Sequence, residues 1–219
     1  MPGIALFDLD YTLLDFDSDH GWGEFLCDLG KVDAAGYRAK NDQFFADYRA
    51  GRLDMQAFIA FSLAPLASLP LDELLALRER FMREQGLAKI RAKGRELVAL
   101  HQASGDRVAI VTATNDFVTR PFADALGVEP LLATQVLWVD GRPTGRARGT
   151  PCFREGKIAH VLAWLNGFGG RLQDCVFYSD SRNDLPLMEA VGRAVAVDPD
   201  DMLLAEAGRR GWDVISLKA

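Results

Sequence analysis

The chain is poor in the residues that mark secreted, membrane-spanning and zinc-binding proteins. Its three cysteines, Cys27, Cys152 and Cys175, are widely spaced, form no CxxC pair and have no neighbouring histidine cluster. A disulfide framework and a zinc site are therefore not expected, and free thiols in a reducing compartment are. No uninterrupted apolar segment approaches the roughly 18 to 20 residues that span a bilayer. The N-terminus also lacks the basic start and longer apolar region of a signal peptide, so the expectation is a cytoplasmic protein without a membrane partner. A basic excess is missing too: 25 Lys and Arg against 31 Asp and Glu leave a formal net charge of -6. That balance argues against a nucleic-acid partner while leaving room for a local basic pocket. Internal repeats, low-complexity tracts and disordered linkers are absent.

What remains is ordinary globular material of 219 residues, 49% hydrophobic and 26% charged, enough for one large domain or a core with an insert. Its most informative stretch is Ile4-Ala5-Leu6-Phe7-Asp8-Leu9-Asp10. Four apolar residues without polar alternation read as a strand buried on both faces of a parallel sheet. Asp8 and Asp10 follow at its carboxyl end, where open α/β sheets bind ligands. In extended backbone the two point to the same side. Such like charges call for a cation or a shared proton, the alternative being a solvated loop in which one Asp caps a turn.

From about 15 to 87 the pattern is helical throughout. Ser18 or Asp19 is expected to cap the first helix, and Tyr37, Phe44, Phe45 and Tyr48 form an aromatic stripe on the second, which Gly51 ends. Asp54 caps a third, running to Pro65, and Pro70 opens a fourth. The α/β pattern resumes with a helix near 89–101 and the strand Val108-Ala109-Ile110-Val111, which delivers Thr112 and Ala113 to its carboxyl end ahead of a helix from about Asn115. A hairpin over 134–148 turns at Asp140-Gly141. Lys157 lies at the start of a helix from about 154 to 165. The strand Cys175-Val176-Phe177-Tyr178 runs into Ser179-Asp180-Ser181-Arg182-Asn183-Asp184, and strands near 192–197 and 213–217 flank a last helix at 201–208.

Three strand ends thus offer carboxylates, a hydroxyl beside a helix N-terminus, and further carboxylates. Hard oxygen donors of this kind suit Mg²⁺, and a Lys with helix N–H groups suits a phosphoryl group. In this order, Asp8-Leu9-Asp10-Tyr11-Thr12, Thr112, Lys157 and Asp180 through Asp184 resemble the four motifs of the haloacid dehalogenase superfamily. The form of the fourth motif and the helical insert after the first resemble subfamily IB, which includes the phosphoserine phosphatases.

The resemblance implies an α/β, Rossmann-like core (1–14 and 88–219) with a mainly parallel sheet, and an all-helical C1 cap (15–87). It implies a Mg²⁺-dependent phosphatase that acts on a small phosphorylated metabolite through an aspartyl phosphate. Asp8 would be nucleophile and metal ligand, and Asp10 the general acid/base with its carbonyl on the metal. Asp180 would be the third ligand, and Asn183 and Asp184 would support the metal. Thr112, Ala113 and Lys157 would hold the phosphate. Two departures bear on the substrate: Asp17 stands where phosphoserine phosphatases carry Glu, and Thr112-Ala113-Thr114 replaces Ser-Gly-Gly. Asp17, His20, Arg49 and Arg52, with Arg38, are the substrate-contacting candidates. Phosphoserine, or a related amino-acid or amino-alcohol phosphate, is the expected substrate class. A phosphotransferase and a non-catalytic binding protein remain as alternatives.

Overall fold

The computed structural model describes residues 3–218. Its strands are β1 (Ile4–Phe7), β2 (Arg107–Asn115), β3 (Leu131–Val139), β4 (Arg142–Arg148), β5 (Cys175–Ser179), β6 (Arg193–Val197) and β7 (Asp213–Ile215). Its helices are α1 (Ser18–Asp28), α2 (Ala34–Arg49), α3 (Met55–Ser62), α4 (Ala64–Ser68), α5 (Leu71–Phe81), α6 (Ala92–Ala103), α7 (Asp116–Ala125), α8 (Glu155–Asn166), α9 (Leu185–Ala190) and α10 (Asp201–Arg210).

The strands form one sheet in the order β4-β3-β2-β1-β5-β6-β7, parallel except for the β3–β4 hairpin. This is the expected α/β class. The apolar run at the start of the chain is explained by burial on two sides. Ala5 and Phe7 join one hydrophobic cluster, and Ile4 and Leu6 join the other. Because neither face meets water, no polar residue can alternate with them.

β1 is central, pairing Ile4 with both Arg107 and Cys175. That double register brings the carboxyl ends of β1, β2 and β5 to one edge, at the point where the chain leaves β1 for opposite sides of the sheet. Crevices form at such switch points. β2 runs on past Val111 to Asn115, with a register shift against β3, and β3 begins at Leu131 rather than near 134, since Leu131 and Leu132 pair with Ile110 and Val111.

Residues between Asp15 and Lys89 contain α1 to α5 and no strand. The two ends of this excursion meet: Leu14 bridges Ile90, Arg91 N–H donates to the Leu13 carbonyl at 2.9 Å, and Asp15 N–H donates to the Lys89 carbonyl at 2.9 Å. Two local expectations are corrected within it. Asp17 caps α1, its Oδ1 accepting from the N–H groups of Asp19 (3.0 Å) and His20 (2.8 Å). Ser18 is instead the first residue of the helix, and its N–H donates to Asp10 Oδ1 at 2.8 Å. The third expected helix is split: α3 stops at Ser62, and Pro65 sits in the first turn of α4, where a missing N–H costs nothing. No single helix among the described residues is long and apolar enough to cross a membrane.

Candidate active site

The backbone leaves β1 through a tight turn over Leu9–Leu13 in which Tyr11 adopts a left-handed φ of 56°. The turn folds Thr12 back over the end of the strand. Thr12 Oγ1 lies 3.4 Å from Asp8 Oδ2 and 3.2 Å from Asp180 Oδ1, and accepts from the Asp180 N–H at 3.1 Å. A hydroxyl carries one proton, so it can satisfy only one of the two carboxylates at a time.

Opposite, Lys157 reaches in from the first turn of α8. Its Nζ lies 2.8 Å from Asp8 Oδ1 and 2.7 Å from Asp184, whose Oδ2 also accepts from Ser179 Oγ at 2.7 Å. Lys157 is 1% exposed, and the two acids hold its charge well above the usual lysine range despite burial. Gly156 makes this placement possible. A Cβ there would stand 2.0 Å from the Pro151 carbonyl oxygen, so any side chain would push the loop off the start of α8.

Asp10 turns the other way. Its carboxylate accepts from Ser18 N–H and Thr114 Oγ1, both at 2.8 Å. Thr112 is buried beside it, its hydroxyl accepting from the Thr114 N–H at 3.2 Å, and the Ala113 carbonyl accepts from Thr134 Oγ1 at 2.8 Å. From α2, Tyr48 closes over the acids. Its carbonyl accepts from Asn183 Nδ2 at 2.9 Å, and burial together with the charges of Asp8, Asp184 and Asp180 raises its phenol well above the usual tyrosine range.

A family model for haloacid dehalogenase-like hydrolases matches residues 5–189. The chain belongs to that superfamily. It is 43% identical over 222 residues, the whole of both chains, to a histidinol-phosphatase of Neisseria meningitidis serogroup C. It is 33% identical over 217 residues to a phosphoserine phosphatase of Mycobacterium tuberculosis, covering 98% of this chain and 70% of that one. Among solved structures, a protein of unknown function from Bordetella pertussis Tohama I superposes with a TM-score of 0.92 at 46% identity, over 98% of each chain. A substrate-bound phosphoserine phosphatase shares the fold, with a TM-score of 0.73 at 18% identity over 100% of this chain and 94% of that one. This haloacid dehalogenase-like hydrolase is a phosphatase, a hydrolase of phosphomonoesters.

The electrostatics of the hydrolase separate its acids. Burial pushes the Asp8 carboxyl up to about 6, with Lys157 opposing. Burial and the charge of Asp17 raise Asp10 well above the usual carboxylate range, and burial with the charges of Asp8 and Asp184 does the same to Asp180. Among the described residues no three His, Cys, Asp or Glu side chains are arranged to hold a metal by themselves. The donor set nonetheless fits a hard cation. Asp8 and Asp180 share one hydroxyl proton where two are needed, and their mutual repulsion is unrelieved on that side.

A cavity opens beyond Asp8 and Asp10 between the sheet edge and α1 to α3. Asp17 and His20 line it, as do Thr112 and Ala113. Arg49 and Arg52 do not. Arg52 is exposed and pairs with Asp47 at 2.8 Å, and Arg49 faces a separate groove on the other side of Tyr48. Arg38 is likewise spent, 2.8 Å from Glu24. The structure brings in residues that sequence reasoning passed over: Thr12 and Thr114 as hydrogen-bond partners of the acids, and Asp19 in the cavity wall. Threonines in the first two motifs were a usable signal for the former. Asp19 carried none, since an acid in a helix's first turn reads as a cap.

Proposed function

We propose that the chain hydrolyses a small phosphomonoester in a Mg²⁺-dependent reaction through an aspartyl phosphate on Asp8. The observation that carries this reading is the unequal treatment of two acids on one strand end. Asp8, raised to about 6, is held by Lys157 at 2.8 Å, whereas burial and the charge of Asp17 push Asp10 well above the usual carboxylate range, where it faces the Ser18 N–H and Thr114 Oγ1 instead of a cation. Acids with environments that diverge in this way take different roles.

In the first half-reaction an Asp8 carboxylate oxygen forms a bond to phosphorus, the ester bond breaks, and Asp10 gives its proton to the departing alkoxide. In the second, Asp10 takes a proton from water, whose oxygen displaces the Asp8 carboxylate from phosphorus and frees inorganic phosphate. Lys157, Thr112 and the N–H groups around Ala113 hold the phosphoryl oxygens. Asp8, Asp180 and the Asp10 carbonyl would hold Mg²⁺, with Asn183 and Asp184 in support. When bound, the ion neutralises charge on the phosphoryl group. The segment from 15 to 87 acts as a cap over this site, and Tyr48 is the residue that seals it. The substrate is a phosphorylated amino acid or amino alcohol, a reading supported by the likeness to a histidinol-phosphatase and a phosphoserine phosphatase.

Release of inorganic phosphate from a panel of such esters, with Mg²⁺ and with chelator, tests the reading. Asp8→Asn is expected to abolish release, and unchanged turnover would refute the assignment of the nucleophile. A phosphotransferase would instead pass phosphate to an added alcohol, and a binding protein would turn over nothing on the panel.

A further inference from the structure

The loop that carries Asp180 and Asp184 has a second face, turned away from the acids. Asp180 and Asp184 meet Thr12 and Lys157, but Arg182 and Asn183 between them pack on the C-terminal end of α2. Asn183 is 2% exposed, and its Nδ2 donates to the Tyr48 carbonyl at 2.9 Å. Gly51, in the left-handed region at φ 69°, follows the helix so closely against Arg182 that a Cβ there would stand 3.1 Å from Arg182 Cδ. A guanidinium from elsewhere in the chain closes this junction. Arg154 Nη2 donates to the Gly51 carbonyl, and to Asn183 Oδ1 at 3.3 Å. Its Cζ sits 5.1 Å from the centre of the Phe153 ring, which in turn lies 6.2 Å from the ring of Tyr48.

Arg154 makes these contacts from a backbone conformation that a side chain disfavours. Its φ is 50° and its ψ -121°, at the first central position of a turn in which Gly156 N–H donates to the Phe153 carbonyl at 2.9 Å. Such a turn favours glycine there, and a residue with a Cβ is strained. The backbone therefore does not account for the arginine, and its guanidinium contacts do. The turn also leads straight into α8, with Lys157 N–H donating to the Arg154 carbonyl at 3.0 Å. One residue thus joins the helix that bears Lys157, the loop that bears Asp180, and the carbonyl end of α2, whose partial negative charge suits a guanidinium.

We infer that Arg154 is a positioning residue, whose guanidinium clamps the end of α2 to the loop carrying Asp180 and Asp184 and so keeps Tyr48 over the acids. The inference rests on the phosphatase reading and adds to it the contact by which the cap is held. The guanidinium touches none of Asp8, Asp10 and Lys157 Nζ. Its loss should leave phosphate binding in place and release the lid. A docked lid excludes water during the chemical step, so the effect falls on kcat more than on KM.

Arg154→Gly and Arg154→Ala both remove the guanidinium, and only the first relieves the turn. With p-nitrophenyl phosphate and Mg²⁺, both variants of the full chain are expected to lose kcat on the order of tenfold, the factor of one charge-assisted hydrogen bond, with KM within about threefold. Arg154→Lys keeps a donor for the Gly51 carbonyl and is expected to recover part of that loss. A residue needed only for its turn would leave Arg154→Gly fully active, and that outcome overturns the inference. Hydrogen exchange gives a readout independent of turnover. The amides of Gly51 and Arg52, which close the end of α2 on the carbonyls of Tyr48 and Asp47, should exchange on the order of tenfold faster in both variants. Unchanged exchange refutes the clamp. Calorimetric binding of inorganic phosphate is expected to be alike in wild type and variants. Weaker binding would show that the start of α8 had moved with Lys157, which also overturns the inference. If the wild-type chain hydrolyses neither this ester nor any on the panel, the phosphatase reading fails, and the exchange measurement still decides the clamp.

Discussion

Replacing Lys157 with Met removes the cation that Asp8 and Asp184 share while keeping most of the side-chain volume. Both acids are almost fully buried, at 4% and 1% exposure, and each lies within 2.8 Å of Nζ. Removing one partner from a buried ion pair costs about 3–5 kcal/mol when the remaining charge cannot reach water. For a chain of this size each kcal/mol lowers the melting temperature by roughly 2–4 °C, so a fall of about 6–20 °C is expected at pH 8. The loss should shrink in acid, and the sign follows from Asp8. Its folded-state value is already raised to about 6 with Lys157 present, and it rises further without it. A raised carboxyl holds its proton in the folded chain after the unfolded chain has released it, so stability falls as pH climbs from the usual carboxylate range through the folded value. The variant's deficit therefore widens between pH 5 and pH 8. Thermal melts of both proteins at those two pH values, without added metal, measure it. Asp184→Asn added to Lys157→Met should recover part of the loss, because one of the stranded charges is gone. A drop under about 2 °C at pH 8, or an equal drop at both pH values, would refute the reasoning.

Mg²⁺ and protons should compete for Asp8. Calorimetric titration is expected to show affinity falling by up to about tenfold per pH unit below the Asp8 value near 6, and little change between pH 7 and 8 would be attributable to that group. Gly156→Ala places a methyl group 2.0 Å from the Pro151 carbonyl oxygen, so activity should fall by at least an order of magnitude through displacement of Lys157. A kinetic assay showing Gly156→Ala within twofold of wild type would mean that the loop yields more easily than its packing implies.

The central strands were legible because their burial leaves a plain signature. Ile4 to Phe7 must be apolar at every position when both faces are covered, and acids can appear only where the strand ends. The sequence also held the candidate site residues in order, but not the register that gathers them. Nothing local says that Ile4 stands beside both Arg107 and Cys175. The cap of α1 was misjudged for a similar reason. Asp17, Ser18 and Asp19 are all competent cap residues, and local sequence does not say that the helix starts at Ser18, with Asp17 accepting from the N–H groups of Asp19 and His20 and Asp10 taking the Ser18 N–H from outside the helix. Helical spacing could not tell that Arg52 turns to Asp47 instead of the cavity. Asp19 escaped notice because its partner, Asn115, is 96 residues away along the chain.

The junction at Leu14 and Ile90 has a consequence for how such a chain can diversify. Since the excursion begins and ends at one point, it can be rewritten without moving any strand. Asp17, Asp19, Phe44, Phe45 and Phe58 all lie within it, and Asp8, Asp10, Thr112, Lys157, Asp180 and Asp184 all lie outside. Selection for a new metabolite can therefore act on one contiguous stretch of gene while the acids, Thr112 and Lys157 at the sheet edge are inherited intact. Exchanging residues 15–89 between relatives is then a rational unit of recombination.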